Sequence, residues 1–515
     1  MTTTVASVVV GGGPLTPEQV LDVARHGAHV TLTEEACKAV RRGRERVESL
    51  ARRETPAYGI STGFGALATR HIAPDLRARL QRSLIRSHAA GAGPEVEKEV
   101  VRALMLLRLR TLCSGNTGVR QATADTLAAL LNAQITPVVH EYGSLGCSGD
   151  LAPLSHVALA MMGEGQVRDA SGELQEAGAA LQAAGLRPVE LGAKEGLALI
   201  NGTDGMLGML VMACLDLARL LKTADITAAM SIEALLGTDR VFDEELQLLR
   251  PHPGQAVSAA NLRALLAGSP VVASHRGSDC DRVQDAYSLR CAPQVAGAAR
   301  DTLAHARLVA ERELDSIIDN PVVLDDGRVE SNGNFHGAPV AYVLDFLAIA
   351  VADTASIAER RTDRMLDVAR SHGLPAFLAD DPGVDSGHMI AQYTQAAIVS
   401  ELKRLAAPAS VDSIPSSAMQ EDHVSMGWSA ARKLRRAVSG LTDVLAVELL
   451  TAARALDLRS PLEPGPATGA VSRTVRARVP GPGPDRHLSP EIAAVAELIT
   501  QGTIVEAAES VISLD

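Results

Sequence analysis

VAYVLDFLAIAVADTASIAERRTDRMLDVARSH, residues 340–372, contains neither proline nor glycine. Pro339 stands directly before it and Gly373 directly after, the order expected of helix start and stop signals. At the α-helical rise the stretch predicts one helix of ~50 Å, far longer than the ordinary helix of ~12 residues. Three other stretches read the same way: 295–320 ends at Pro321, 428–460 ends at Pro461 with one glycine inside, and 206–236 is rich in Leu, Met and Ala. Several such helices together predict a bundle. No repeat of 20 to 50 residues stands out, so a solenoid is not expected.

Outward from the bundle, the first two hundred residues are choppier. Polar glycine-rich segments, YGISTGFG (58–65), SHAAGAG (87–93), GSLGCSGD (143–150) and NGTDG (201–205), interrupt helical ones and read as loops or tight turns. The expected class is mainly α, with a loop-rich N-terminal part (1–205) and a long-helix bundle with a C-terminal helical extension (206–515). PGPGPD (480–485) reads as a linker, and the tail from Ser489 as one amphipathic helix with a frayed end.

Composition narrows the function classes. Of 515 residues, 46% are hydrophobic and 21% charged, which excludes a disordered or collagen-like chain. The net charge of −12 argues against nucleic acid or an anionic membrane as partner. Six scattered cysteines (37, 113, 147, 214, 280, 291) form no C-x-x-C pair, so neither a zinc ribbon nor a disulfide scaffold is expected, and a reducing cytoplasm fits. MTTTVASVVVGGG lacks the basic and long apolar regions of a signal peptide. No uninterrupted apolar run reaches the ~18 residues of a membrane span. Aromatics are only 2%, five Phe, five Tyr and one Trp, so Ala, Leu, Val and Ile must fill the core. The phosphate loop G-x-x-x-x-G-K-[ST], the dinucleotide G-x-G-x-x-G and the zinc motif H-E-x-x-H do not occur, and DDPGVD (380–385) lacks calcium-loop spacing.

The loop 143–150 admits three chemistries. Ser148 as a hydrolase nucleophile lacks the G-x-S-x-G spacing, since the chain reads Gly146-Cys147-Ser148-Gly149-Asp150. Cys147 as a thiol nucleophile competes with its commoner fate as inert packing. In the third, Gly149, with no Cβ, brings its amide nitrogen onto the carbonyl of Cys147. Closure of that five-membered ring, with loss of water from the ring and from Ser148, leaves an imidazolone bearing an exocyclic methylidene, an electrophile that no standard side chain supplies.

GCSGDLAPLSH (146–156) resembles the aromatic amino acid ammonia-lyase family. The likeness extends through YGISTGFG, LQRSLIRSHAAG (80–91), EGLALINGTDGM (195–206), QDAYSLRCAPQV (284–295), NGNFHG (332–337), GHMIAQYTQAA (387–397) and QEDHVSMGWSAARKLR (420–435). It implies 4-methylidene-imidazol-5-one formed autocatalytically from Cys147-Ser148-Gly149, with no dissociable cofactor and no metal. Cys147 replaces the family's usual Ala, and Met419 before QED is a second departure. SHAAG and QEDHVSMG are similar to the histidine branch, whereas the phenylalanine and tyrosine branches usually carry Asn-Gln at 420–421. The implied reaction is L-histidine to urocanate and ammonia, in a cytoplasmic homotetramer whose active sites combine several subunits.

Ammonia loss needs a base for a weakly acidic β-proton and a way to expel a poor leaving group. Tyr287 is the candidate base and Tyr58 its partner near the electrophile; a base role requires tuning from the usual phenol value. Arg290 suits a bidentate carboxylate clamp. Asn201 and Gln284 offer neutral hydrogen bonds to carboxylate, amine or ring. Phe335 is a candidate apolar wall and Met389 a flexible lining. His88 and Glu421 are the polar partners an imidazole needs, because an unpaired buried ring nitrogen is costly. Whether the substrate's amine or its ring meets the electrophile stays open at this level. The rivals are a tyrosine or phenylalanine ammonia-lyase, a 2,3-aminomutase, and a non-catalytic helical scaffold.

Overall fold

The computed structural model of the chain describes residues 7–52, 62, 72–146, 149–277 and 283–515. The chain is mainly helical, and the four long helices stand where proline- and glycine-poor sequence placed them: Asp204–Ala234, Ala292–Asp315, Ala338–Leu366 and Gly427–Asp457. Two end earlier than expected. The third stops at Leu366 because Asp367 turns the chain: its Oδ1 accepts the Ala369 amide at 2.8 Å and its carbonyl accepts the amides of Arg370 and Ser371. The second stops at Asp315, short of Pro321, because Asp319 is drawn into a wholly buried ion pair with Lys194, 2.5 Å from Nζ to Oδ2. Helix propensity across four residues is worth far less than leaving a buried cation unpaired.

The tail is two helices, Ser489–Gln501 and Thr503–Glu509, joined through Gly502 at φ 85°. Its end is not frayed, as the sequence suggested. The Asp515 amide donates to Asn261 Oδ1, and Asn261 Nδ2 and Arg300 Nη1 donate to the Asp515 carbonyl, each at 3.1 Å. Nor is PGPGPD a free linker: the Asp485 carboxylate accepts the amides of Ser386 and Gly387 at 2.6 and 2.9 Å.

The chain divides into two compact units, and four of the five boundaries between them fall inside long helices. The first comprises Met1–Met212, Arg307–Asp345 and Pro408–Arg432. It contains short sheets, among them a parallel pair, Ser7–Val10 with His29–Leu32, and an antiparallel pair, Ala92–Glu95 with His140–Tyr142. Its centre is the helix Lys98–Cys113, buried on every side from Val100 onward and packed by Pro17–Ala24, Gln121–Asn132, Leu151–Met161 and Glu195–Ile200. The second unit comprises Ala213–Ala306, Phe346–Ala407 and Lys433–Asp515. Its three segments meet at a buried ion pair, Arg361 Nε to Glu448 Oε1 at 2.5 Å, with Thr227 and Ser231 hydroxyls donating to the same carboxylate at 2.7 and 2.9 Å.

Glu195–Ala234 and Ala338–Leu366 have the length and composition to cross a membrane once their interrupting acidic residues are allowed. Their most apolar windows are 100% and 61% buried inside the protein, as in core helices.

Candidate active site

The first unit gathers the SHAAGAG, NGTDG, NGNFHG and QEDHVSMG segments around the loop 143–150. Gly149 has φ 81°, and a Cβ on it would stand 2.0 Å from the carbonyl oxygen of Gly202. Only glycine fits there, on both conformational and steric grounds. The next amide, Asp150, donates to that Gly202 oxygen at 2.7 Å. The Asp150 carboxylate accepts the amides of Gly205 and Met206 at 2.9 and 3.0 Å, at the start of the helix Asp204–Ala234, and the Ser144 hydroxyl at 2.8 Å. Burial pushes the Asp150 carboxyl up to about 7, against these hydrogen bonds and with the neighbouring Asp204 charge adding to the rise.

The other side of the loop is held by the QEDHVSMG and NGNFHG segments. Ser425 Oγ and the Gly337 amide donate to the Gly146 carbonyl at 2.9 and 3.1 Å, and the Met426 amide donates to the Leu145 carbonyl at 2.9 Å. Gly146 itself sits at φ 70°. The described ends of the loop are thus each held by distant segments, Leu145 and Gly146 on one side and Gly149 and Asp150 on the other.

The SHAAG segment follows directly on the helix Arg77–His88. Its Gly91 amide donates to His156 Nε2 at 3.1 Å, so His156 of LAPLSH is fixed as the tautomer with its proton on Nδ1. His88 is half-buried, with Nδ1 3.0 Å from Ser87 Oγ. Burial holds its imidazole below the usual value, opposed by the Leu84 carbonyl and by the charge of Glu421. Glu421 is half-buried and accepts the Ser416 hydroxyl at 2.8 Å. The two residues selected for an imidazole ring are therefore electrostatically coupled within this unit. Phe335 is half-buried in the turn that precedes the Gly337 clamp. Asn201 is 3% exposed; its Nδ2 donates to the Asn320 carbonyl at 2.9 Å, while its Oδ1 is buried without a hydrogen-bond partner.

The second unit carries Gln284, Tyr287, Arg290 and Met389. Tyr287 opens the single helical turn Tyr287–Arg290 and is 71% exposed. The Arg290 guanidinium lies over its ring, 4.6 Å from the centroid, a cation–π contact. Arg290 Nε is buried without a partner. Arg361, from the buried ion pair, points Nη1 at the Ser288 carbonyl at 3.4 Å. Gln284 lines a cavity of about 340 Å³ with Thr238, Arg276 and Asp285. Met389 lines another of about 350 Å³ with Asp363, Arg370, Phe377 and Gln392.

Tyr58, Cys147 and Ser148 lie outside the described residues. Asp150, Ser144, Gly202, His156 and Ser425 are the residues that sequence reasoning passed over. Each stands inside a quoted motif; Ser144 serves its own loop, but the other four bond to groups more than fifty positions away.

The sequence matches the aromatic amino acid lyase family over residues 15–477. It is 68% identical to the histidine ammonia-lyase of Streptomyces coelicolor over 506 residues, covering 98% of this chain and 99% of that one. Among solved structures it is similar to a tyrosine aminomutase from Streptomyces globisporus, with TM-score 0.93 and 40% identity over 99% of this chain and 100% of that one. The histidine ammonia-lyase of Trypanosoma cruzi superposes with TM-score 0.91 and 37% identity over 98% and 96%.

Proposed function

The chain belongs to the aromatic amino acid lyase family, and from that premise we propose that it is a histidine ammonia-lyase, converting L-histidine to urocanate and ammonia. The observation that carries the reading is that one compact unit holds both the clamped loop around Gly149 and the coupled pair His88 and Glu421. The first suits a self-made electrophile and the second an imidazole. A purely apolar pocket has no use for a half-buried carboxylate beside a histidine.

The residues present fit a 4-methylidene-imidazol-5-one drawn from Cys147-Ser148-Gly149. Gly149 is seated without room for a Cβ, and the Asn201 Oδ1 is an unpartnered buried acceptor. That group supplies an electrophile that makes the substrate's nitrogen a better leaving group. The side chains do the rest. Arg290 grips the α-carboxylate, and Asn201 and Gln284 orient the polar groups around it. Tyr287 has the role of the base that takes the β-proton, and Tyr58 that of its partner toward the electrophile. The Arg290 guanidinium stacked on the Tyr287 ring holds these two side chains together. His88 and Glu421 hold the imidazole, Glu421 accepting its N–H, while Phe335 and Met389 close the apolar sides.

The enzyme is a cytoplasmic homotetramer in this reading. The helix Ala338–Leu366 shows Tyr342, Phe346 and Ile349 to solvent at 51, 46 and 51%, and Met389–Leu405 adds Ile390 and Tyr393. Apolar residues repeated on one helical face suit a subunit interface.

The direct test is the mass of the purified protein. Ring closure with two dehydrations lowers it by about 36 Da, confined to the peptide containing residues 147–149. An active enzyme in which that peptide keeps its unmodified mass removes the reading. Two variants test the second unit's residues. Tyr287→Phe keeps the ring and loses the phenolic oxygen, so kcat should fall with little change in KM. A change in KM alone makes Tyr287 a positioning group. Arg290→Lys keeps the charge but loses the planar fork, and should lower kcat/KM well beyond what charge alone predicts; unchanged kinetics removes the clamp.

A further inference from the structure

The helix Lys98–Cys113 carries three buried arginines, 102, 108 and 110. Arg108 is 1% exposed. Its Nη1 donates to the carbonyls of Ala198 and Asn201 at 3.1 and 3.0 Å, and its Nη2 to that of Ile318 at 2.9 Å. Its Nε faces Asp204 Oδ2 at 3.2 Å. One planar guanidinium therefore joins the end of the helix Glu195–Ile200, the segment leading to Asn320 and the first residue of Asp204–Ala234.

Gly202 lies against this group. A Cβ there would stand 2.3 Å from Asp204 Oδ2 and 2.5 Å from Arg108 Nη2. Gly149 in turn lies against Gly202, its Cβ position 2.0 Å from the Gly202 oxygen, and the Asp150 amide is hydrogen-bonded to the same oxygen. The contacts run Arg108, Gly202, Gly149, with no space for a side chain at either step.

Ring closure makes a bond from the Gly149 nitrogen to the Cys147 carbonyl carbon. The Gly149 amide proton passes to the carbonyl oxygen. That hydroxyl then leaves as water with the Ser148 amide proton, and a second water takes the Ser148 hydroxyl and its Cα hydrogen. The first step bends planar peptide units, which resist it. It therefore depends on a backbone that does not give way on the glycine side. We propose that Arg108 is a positioning residue for this closure. It fixes Gly202, and through it the Gly149–Asp150 backbone that carries the attacking nitrogen. The proposal rests on the electrophile reading above. A lysine cannot replace it, because a single ammonium nitrogen does not reach the carbonyls and the carboxylate that the fork spans.

The experiment compares intact mass and thermal melting of purified wild type, Arg108→Lys, Gly202→Ala and Arg102→Lys. Arg102 is the control: it is equally buried in the same helix, but donates to the carbonyls of Val23 and Leu131 at 3.0 and 3.1 Å. Wild type and Arg102→Lys should show the complete deficit of about 36 Da, the latter with a lowered melting temperature. Arg108→Lys should fold and close its ring about 100-fold more slowly, the scale of a misplacement near 1 Å, so fresh protein retains the unmodified mass. Gly202→Ala, which keeps the guanidinium but sets a methyl against it and against Asp204, breaks the seat of Gly202 from the other side and should do the same. A full deficit in folded Arg108→Lys overturns the proposal. Insolubility of both Arg108→Lys and Gly202→Ala also counts against it, because the stack is then a determinant of folding and not of closure. Loss of the deficit in Arg102→Lys reduces the effect to general destabilisation and likewise overturns it. A wild type without the deficit sinks the electrophile reading itself, a distinct result.

Discussion

Ser148→Ala folds and loses activity by at least about 1,000-fold in kcat, the scale on which loss of a covalent catalytic group is read. Cys147→Ala keeps substantial activity. The contrast follows from which atoms each residue contributes. Ser148 supplies the β-carbon that becomes the methylidene, and only its hydroxyl can leave to create it. Alanine has no leaving group there, so the mass deficit disappears together with the activity. Cys147 supplies a carbonyl carbon, which alanine supplies equally, and Ala is the family's usual residue at that place. A catalytic thiol predicts the reverse, with Cys147→Ala inactive. A serine hydrolase predicts a covalent adduct of Ser148 with a fluorophosphonate and no deficit. Activity in Cys147→Ala should be retained but not identical, since the thiol neighbours the electrophile and influences it. A Cys147→Ala protein that folds, shows the deficit and yet is inactive contradicts the passive role assigned to this side chain.

The second large effect concerns substrate choice. Glu421→Gln and His88→Ala should each lower kcat/KM for L-histidine by about 30- to 1,000-fold, equivalent to ~2–4 kcal/mol of lost stabilisation. Both should leave the mass deficit intact. Glu421 is held by the Ser416 hydroxyl and coupled to His88, whose imidazole is kept below its usual value by burial. His88 offers the substrate ring an imidazole partner and Glu421 a carboxyl acceptor. Glutamine keeps the shape and removes the charge, so the loss isolates electrostatics from packing. Wild-type kinetics in both variants overturns the pocket assignment. A panel containing L-histidine, L-tyrosine and L-phenylalanine, with β-amino acid products assayed, separates the lyase from an aminomutase, the activity named for one structural neighbour.

Helical architecture was legible in the sequence because its causes are local. A long run without proline or glycine favours helix through most of its length, and residues 340–372 contain the helix Ala338–Leu366 almost whole. The chemistry of the 147–149 loop was legible for the same reason: ring closure needs only a serine followed by a glycine, and adjacent atoms are fixed by covalent connection. Tertiary structure decided the rest. It set the helix ends, where Asp367 makes its turn and Asp319 pairs with Lys194. It also set the meaning of single glycines. Gly202 is one of 43 in the sequence and carries no local mark that separates it from the others. What makes it indispensable is the guanidinium of Arg108 on one contact and the backbone of Gly149 on another, residues some fifty to a hundred positions away. The same holds for Asp150, whose carboxylate is assigned by amides at 205 and 206. Local sequence dictates what a segment can do alone; hydrogen bonds and steric limits between distant segments exist only once the chain has folded, and they determine which loop conformation the protein holds.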